Sequence, residues 1–170
     1  MNKNLWLFID IDGCVMHNIF NNSFYTNDTE KIESIINTYK NARDVEVYSE
    51  FVEWFKRITE SKEYDIEDIT FITGRQENCF GWLTDIQLRP LEKYHWFDVH
   101  YFYNHSKHTW ELYKSFKVHC VLDALQYSNY RGQIKIYDDY DFSKELKEVL
   151  DMDFEFYVIK EKEDWNGRKR

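Results

Sequence analysis

The chain has 170 residues, of which 43% are hydrophobic and 19% aromatic, with only five glycines and one proline. This composition excludes a disordered chain and a flexible linker between domains, and it predicts a single domain over residues 1–170. The formal net charge of −9 argues against a general nucleic-acid binder, although it does not exclude a local basic groove.

Apolar runs and amphipathic spacing predict strands that alternate with helices. The first predicted elements, in chain order, are the strand Leu5–Ile9, a loop or flap over residues 14–28, helices from Asp28 or Thr29 to about Tyr39 and from Tyr48 to Thr59, the strand Ile69–Ile72 and a helix from about Glu77 to Gln87. The later ones are the strand Phe97–Tyr103, a helix capped by Ser115, the strand Ile134–Tyr137, a short helix over residues 142–150 and the strand Phe154–Ile159. This alternation predicts an α/β fold with a five-stranded parallel sheet.

Three of the predicted strands end in polar side chains. The pairs are Asp10 with Asp12, Thr73 with Arg75, and Asp138 with Asp139. Because ligands of parallel α/β sheets bind at the carboxyl ends of the strands, we expect the three clusters to meet at one edge of the sheet. Their convergence predicts a functional site there.

Asp10 and Asp12 lie two residues apart after the first strand, so both carboxylates can face one pocket. One carboxylate can attack a phosphorus atom, and the other can protonate the leaving oxygen and later deprotonate water. Different surroundings would hold the two groups in different protonation states. The alternative is a plain turn in which Asp12 and Gly13 serve only the backbone conformation.

The carboxylates of Asp10, Asp138 and Asp139 would repel one another unless a cation lay between them. Oxygen ligands of this kind, together with water and a phosphate oxygen, suit Mg²⁺, which would offset charge on the nucleophile and the substrate. The alternative for Asp138 and Asp139 is a solvated strand end. The sequence does not decide which of the two is the main metal ligand.

Several other residues are candidates for binding a phosphate. Thr73 offers a hydroxyl and the turn at Gly74 offers backbone N–H groups, while Arg75 offers a bidentate contact. Lys117, two residues after the expected cap Ser115, would bring an ammonium group to the pocket near a helix N-terminus, which itself favours anions. Lys114 competes for that role. Taken alone, each is more often an ordinary turn or surface residue.

Taken together, four segments resemble the four motifs of haloacid dehalogenase (HAD) superfamily phosphatases. They are Phe8–Gly13, Phe71–Arg75, Lys117 and Ile136–Asp139, in the family's order and after the expected strands. The resemblance implies a three-layer Rossmann-like core with a minimal cap or none, and a phosphomonoester hydrolase that requires Mg²⁺. Cys14 departs from the threonine that is usual after this first motif. This departure weakens the assignment of residues 14–28 as a flap and leaves the other motif assignments unchanged.

The resemblance also implies a role for each motif residue. Asp10 would be the nucleophile and a metal ligand, and Asp12 would be the general acid/base and offer a metal-binding carbonyl. The other implied assignments are Thr73 and Lys117 for catalysis, the same two residues with Gly74 and Arg75 for substrate binding, and Asp138 and Asp139 for the metal.

A narrower resemblance links the chain to the phosphatase-like domain of the Swiss Army knife RNA-repair proteins. It rests on Thr73–Glu77 with Phe80, on Trp96–Val99, and on Thr109 with Phe116–Lys117. The arginine after the second motif is also similar to that of polynucleotide 3′-phosphatases, although sugar-phosphate phosphatases share it. RNA or DNA ends are therefore expected substrates. The alternatives are a nucleotide or sugar phosphate, and a catalytically silent binding module.

Small inserts between the motifs predict an open pocket. Between Gly13 and Thr73 there are 59 residues, and after the core helix and strand only a flap and one helix near residues 29–40 remain. An open pocket admits a bulky chain and sequesters a small ligand poorly. Arg75, with His105, Lys107 and His108, would contact a backbone phosphate.

The cysteines and the apolar runs bear on location. Cys14, Cys79 and Cys120 are scattered without a C-x-x-C pair, which argues against a disulfide framework and a zinc site. The first ten residues lack a secretory signal pattern, and no 18-residue apolar run occurs. We expect a reducing compartment, by default the cytoplasm, and no membrane partner.

Overall fold

The computed structural model describes residues 2–18, 29–41, 46–102 and 110–167. The strands are β1 (Lys3–Asp10), β2 (Tyr64–Thr73), β3 (Asp98–Tyr101), β4 (Gln133–Asp138) and β5 (Glu155–Val158). The helices are α1 (Thr29–Asn41), α2 (Ser49–Glu60), α3 (Glu77–Leu88), α4 (Trp110–Ser128) and α5 (Ser143–Val149). Short 3-10 helices cover Arg89–Leu91 and Lys162–Trp165.

The five strands form one parallel sheet in the order β3-β2-β1-β4-β5. The predicted five-stranded parallel sheet is therefore confirmed. β1 is the central strand, with Phe8 paired to Thr70 of β2 and to Ile136 of β4. An uninterrupted apolar run suits this position, because a central parallel strand is buried on both faces.

Side chains of β1 alternate between two hydrophobic cores, as the pleat of a strand requires. Leu5, Leu7 and Ile9 belong to a core that includes the apolar face of α2. Trp6 and Phe8 belong to a second core, which includes apolar residues of α4 and α5. Helices thus cover both faces of the sheet, which gives the expected three layers.

The beginning of α4 differs from the prediction. The helix begins at Trp110 rather than at Ser115, so the prediction that Ser115 caps it is wrong. Residues 110–114 contain neither glycine nor proline, so nothing in them stops the helix from starting earlier. Lys117 consequently lies about two turns inside the helix, beyond the reach of the N-terminal dipole.

Between β1 and α2, the described part of the chain adds one helix, α1. Its Ile35 packs against Phe80 and Leu83 of α3. This agrees with the single helix expected near residues 29–40. Across the described ranges, none of the helices combines the length and the apolar character that crossing a membrane requires.

Candidate active site

The ends of the three central strands bring the predicted site residues to one edge of the sheet. Asp10 is the last residue of β1, Thr73 of β2 and Asp138 of β4. Because β2 and β4 flank β1 in parallel, their carboxyl ends lie side by side. Topology alone therefore brings together residues that are more than 120 positions apart in the sequence, as for Asp10 and Asp138.

Asp10, Asp138 and Asp139 form an acidic cluster in which each residue has a carboxyl oxygen within 4.8 Å of one from the others. Asp10 and Asp138 are buried, and Asp139 is partly exposed. Lys117 enters from α4, with its Nζ 3.1 Å from Oδ1 of Asp10 and also donating to Oδ2 of Asp138. The second oxygen of Asp138 accepts the backbone N–H of Tyr140 at 2.9 Å.

Among the described residues, the three carboxylates share the ammonium group of Lys117, while the ammonium group of Lys160 donates to the backbone carbonyl of Asp139. Burial, and then the nearby charge of Asp138, raise the pKa of Asp10 well above its ordinary value. Burial also raises the pKa of Asp138 to about 7, although Lys117 opposes that shift. Within the described ranges, Oδ2 of Asp10 is buried and has no hydrogen-bond partner. An oxygen-only donor set with one unsatisfied buried oxygen fits a hard divalent cation such as Mg²⁺.

The two candidate lysines have different surroundings. Lys117 is 1% exposed and contacts two carboxylates of the cluster. Lys114 pairs with Glu145 at 3.6 Å and lies over the ring of Tyr140. The structure therefore places Lys117 in the cluster, although not at the helix N-terminus where it was expected.

Asp12 forms a separate buried ion pair with Arg75. Nε of Arg75 donates to Oδ2 of Asp12 at 3.0 Å, and Nη2 donates to Oδ1 at 2.7 Å. Both side chains are buried, with exposures of 0% for Arg75 and 5% for Asp12. The guanidinium that we expected on a substrate phosphate is thus engaged with the expected acid/base.

The turn after β2 begins at Thr73. Its Oγ1 accepts the backbone N–H of Arg75 at 3.1 Å, and Thr73 is fully buried. A hydroxyl that accepts one bond still has its own O–H to donate. Gly74 lies in the bend between β2 and α3, next to the strand end that holds Thr73.

Gly13 allows the first-motif loop to approach the acidic cluster. Its φ is +77°, a left-handed conformation that a residue with a side chain rarely adopts. A Cβ atom at this position would lie 2.8 Å from Oδ2 of Asp139. A side chain at position 13 would therefore strain the backbone and displace the carboxylate of Asp139, a link to the acidic cluster that the turn chemistry of Asp12-Gly13 did not predict.

Trp165 is a contributor to the site that the sequence interpretation missed. It lies in the second 3-10 helix, is fully buried, and packs against Phe51 and Trp54 with ring centroids 4.7 Å away in each case. Its Nε1 donates to the backbone carbonyl of Cys14 at 2.8 Å. The only local signal was an isolated tryptophan in a charged segment, so its partners could not be inferred.

Some predicted residues lie outside the described ranges. They are His105, Lys107, His108 and Thr109, residues 19–28 of the expected flap, and the basic tail Arg168–Arg170. The expected phosphate contacts of His105, Lys107 and His108 stay predictions.

Two solved structures resemble the chain over most of its length. Both are of the HAD domain of effector protein Lem4 (lpg1101) from Legionella pneumophila, and one is an inactive mutant. Sequence identities are 13% and 14%, with TM-scores of 0.53 and 0.54. The alignments cover 93% and 94% of this chain and 86% and 87% of those chains. No protein-family model matches the sequence, and no curated protein matches it significantly. The HAD fold implied by the four motifs is confirmed.

Proposed function

From the HAD fold, we propose that the chain is a Mg²⁺-dependent phosphomonoester hydrolase that forms an aspartyl-phosphate on Asp10. The observation that carries the proposal is the acidic cluster. Its carboxylates outnumber the ammonium of Lys117, and they leave one buried oxygen of Asp10 without a partner among the described residues. A site of this kind is more stable with a cation bound than without one.

The residues that would hold the ion are Asp10, Asp138 and Asp139, with the backbone carbonyl of Asp12. When bound, it would offset the negative charge of the nucleophile and the phosphate. Thr73, the N–H groups of the Gly74 turn and Lys117 would hold phosphoryl oxygens as their charge changes.

The reaction then divides into two steps. First, a carboxylate oxygen of Asp10 bonds to phosphorus, the bond from phosphorus to the leaving oxygen breaks, and Asp12 gives that oxygen a proton. Second, a water oxygen bonds to phosphorus, Asp12 takes a proton from the water, and the bond between Asp10 and phosphorus breaks. Inorganic phosphate is released and both carboxyl groups return to their starting states.

For the substrate, we propose an end phosphate on a nucleic acid, with RNA preferred to DNA. The support is the small insert before α2, which within the described ranges contributes one helix. A nucleotide or sugar phosphate is the alternative. If these small substrates are cleaved with a kcat/KM as high as that of a 3′- or 5′-phosphorylated oligonucleotide, the polymer proposal is wrong. Location in the cytoplasm also stays a prediction.

Trapping the intermediate tests the reaction class directly. We expect purified protein with Mg²⁺ to hydrolyse p-nitrophenyl phosphate, and a rapid acid quench to leave phosphate on the protein. Acyl phosphates react with hydroxylamine, so this label should be lost in hydroxylamine and absent from Asp10→Asn. An exposed aspartate, Asp151, supplies the matched control Asp151→Asn. A protein that shows neither turnover nor hydroxylamine-sensitive label is a silent binding module instead.

A further inference from the structure

Arg75 has a complete set of protein partners around its guanidinium. Beyond its two bonds to Asp12, Nη1 donates to Oγ1 of Thr84 at 3.0 Å and to Oε1 of Gln87 at 2.6 Å. Nη2 also contacts Sδ of Met16 at 3.3 Å. A guanidinium carries five N–H donors, and these contacts provide an acceptor for each of them. A substrate phosphate would have to displace one of these partners to bind Arg75.

The acceptors on α3 are themselves held in place. The Oγ1 atom of Thr84 donates to the carbonyl of Phe80 at 2.8 Å, so its lone pairs are directed toward Arg75. Thr84 is fully buried and Gln87 is 5% exposed. A buried polar network whose members are all satisfied is rigid, because breaking any bond leaves a buried donor or acceptor without a partner.

This network determines where the carboxyl group of Asp12 lies. A carboxylate has about four lone-pair sites, and Arg75 occupies one on each oxygen. The remaining sites are still able to carry a proton or to accept one from water. Two parallel bonds also fix the plane of the carboxyl group, which a single contact would not do.

We infer that Arg75 is a positioning residue that aims Asp12 for proton transfer, and that it does not bind the substrate phosphate. The inference rests on the proposed phosphatase function and adds the residue that orients its acid/base. Proton flow is unchanged by it, since Asp12 still gives its proton to the leaving oxygen and regains one from water. Arg75 keeps its own protons throughout.

Kinetics with Arg75→Lys separate positioning from phosphate binding. Lysine keeps the charge but cannot contact both oxygens of Asp12 in one plane. We expect kcat for an alkyl phosphate, whose leaving oxygen needs a proton, to fall about 10- to 100-fold. For p-nitrophenyl phosphate, whose leaving group needs little protonation, we expect a smaller loss, and competitive inhibition by inorganic phosphate should be unchanged. The exposed Arg131 provides the control Arg131→Lys.

The opposite kinetic pattern would overturn the inference. If Arg75→Lys raises KM and the inhibition constant for phosphate equally for both substrates, Arg75 binds the phosphate. The same conclusion follows if Arg75→Lys still lowers activity toward the alkyl phosphate when Asp12 is already asparagine. Because Arg75→Lys alters a fully buried group, Gln87→Met offers a second test that keeps the ion pair. Gln87→Met should lower kcat less than Arg75→Lys does, and again more for the alkyl phosphate than for p-nitrophenyl phosphate. If Gln87→Met lowers kcat equally for both substrates, the network does not position Asp12.

A resonance of Arg75 tests the inference without turnover. The Nε–H signal, assigned by its absence from Arg75→Lys, should shift when Asp12 is replaced by asparagine, because that N–H donates to Asp12. It should stay in place when inorganic phosphate and Mg²⁺ are added. A signal that moves with phosphate, or that ignores Asp12→Asn, overturns the inference. Lack of hydrolysis by the wild-type protein would refute the proposed function, and this measurement would still show separately whether Arg75 contacts Asp12 or phosphate.

Discussion

Asp10 and Asp12 are two residues apart, yet they lie in opposite electrostatic surroundings. Asp12 has a cation of its own in Arg75, which contacts both of its oxygens. Asp10 shares Lys117 with Asp138, next to a third carboxylate from Asp139. Among the described residues, one side of the site pairs one carboxylate with one guanidinium, and on the other side three carboxylates share one ammonium group. The comparison distinguishes a carboxylate held in place by the fold from carboxylates arranged to receive a cation.

Removal of the nucleophile should have the largest effect. We expect Asp10→Asn to lower kcat for p-nitrophenyl phosphate on the order of 10⁴-fold or more, because no other group can form the phospho-enzyme. Thermal unfolding in EDTA should show equal or higher stability than wild type, since one of the repelling carboxylates is neutralised. Substantial turnover by this variant would contradict the assignment of Asp10.

Neutralising the paired carboxylate should instead destabilise the protein. Asp12→Asn leaves the buried guanidinium of Arg75 without a counter-ion, which should lower the free energy of unfolding by about 3 kcal/mol. Urea denaturation in EDTA, with Asp10→Asn measured alongside, checks the sign of both changes. If Asp12→Asn and Asp10→Asn change the free energy of unfolding in the same direction by similar amounts, Asp10 and Asp12 do not differ in their electrostatic surroundings.

A divalent cation should stabilise the folded protein through the acidic cluster of Asp10, Asp138 and Asp139 and not through the pair of Asp12 and Arg75. Mg²⁺ at about 100 times its dissociation constant should add about 2.7 kcal/mol to the free energy of unfolding, because it binds the folded state. Asp139→Asn should lose most of this gain. The control is Asp141→Asn, since Asp141 is exposed and accepts the N–H of Ser143, a bond that asparagine can also accept. An equal loss of Mg²⁺ stabilisation in both variants would remove Asp139 from the metal site.

The smallest expected effect is a pH dependence of the metal-free protein. Burial raises the pKa of Asp138 from 3.8 to about 7, so the folded state holds this proton more tightly than the unfolded state. The resulting stability is present below about pH 4 and is lost as pH rises through about pH 7, with a loss of about 2 kcal/mol between about pH 5.5 and about pH 8. Urea midpoints in EDTA at about pH 5.5 and about pH 8 should differ in this direction, and less so in Asp138→Asn. Wild type and Asp138→Asn with the same pH dependence would contradict it.

Much of the fold could be predicted because buried parallel strands appear in the sequence as short runs of apolar residues. The apolar run before Asp10 identifies β1, and the runs before Thr73 and Asp138 identify its two neighbours. The start of α4 could not be predicted, because Ser115 is a good cap residue but residues 110–114 also favour a helix. A local preference cannot decide between two acceptable starts.

The site could be predicted as a set of residues but not as a set of contacts. Strand ends identified Asp10, Thr73 and Asp138, because parallel strands end at a common edge. The partner of Arg75 could not be inferred, since both a phosphate and a carboxylate suit a guanidinium. Only the buried geometry shows that Asp12 is its partner. Trp165 escaped prediction for a related reason, because its acceptor is a backbone carbonyl that no sequence pattern marks.

The hydrogen bond from Trp165 to Cys14 has a consequence for the order in which the molecule is completed. The two residues are 151 positions apart, and the chain is synthesised from its N-terminus at about 5–20 residues per second. The loop that contains Asp12 and Cys14 therefore leaves the ribosome well before Trp165, whose side chain donates to the Cys14 carbonyl. β1 can pair only after β2 and β4 have emerged. The Cys14 carbonyl receives its hydrogen bond later still, because Trp165 follows β4 in the chain. During synthesis, the residues that make the ion pairs of the site have all emerged by Asp138, and the bond that anchors the Cys14 carbonyl can form only after Trp165 follows them.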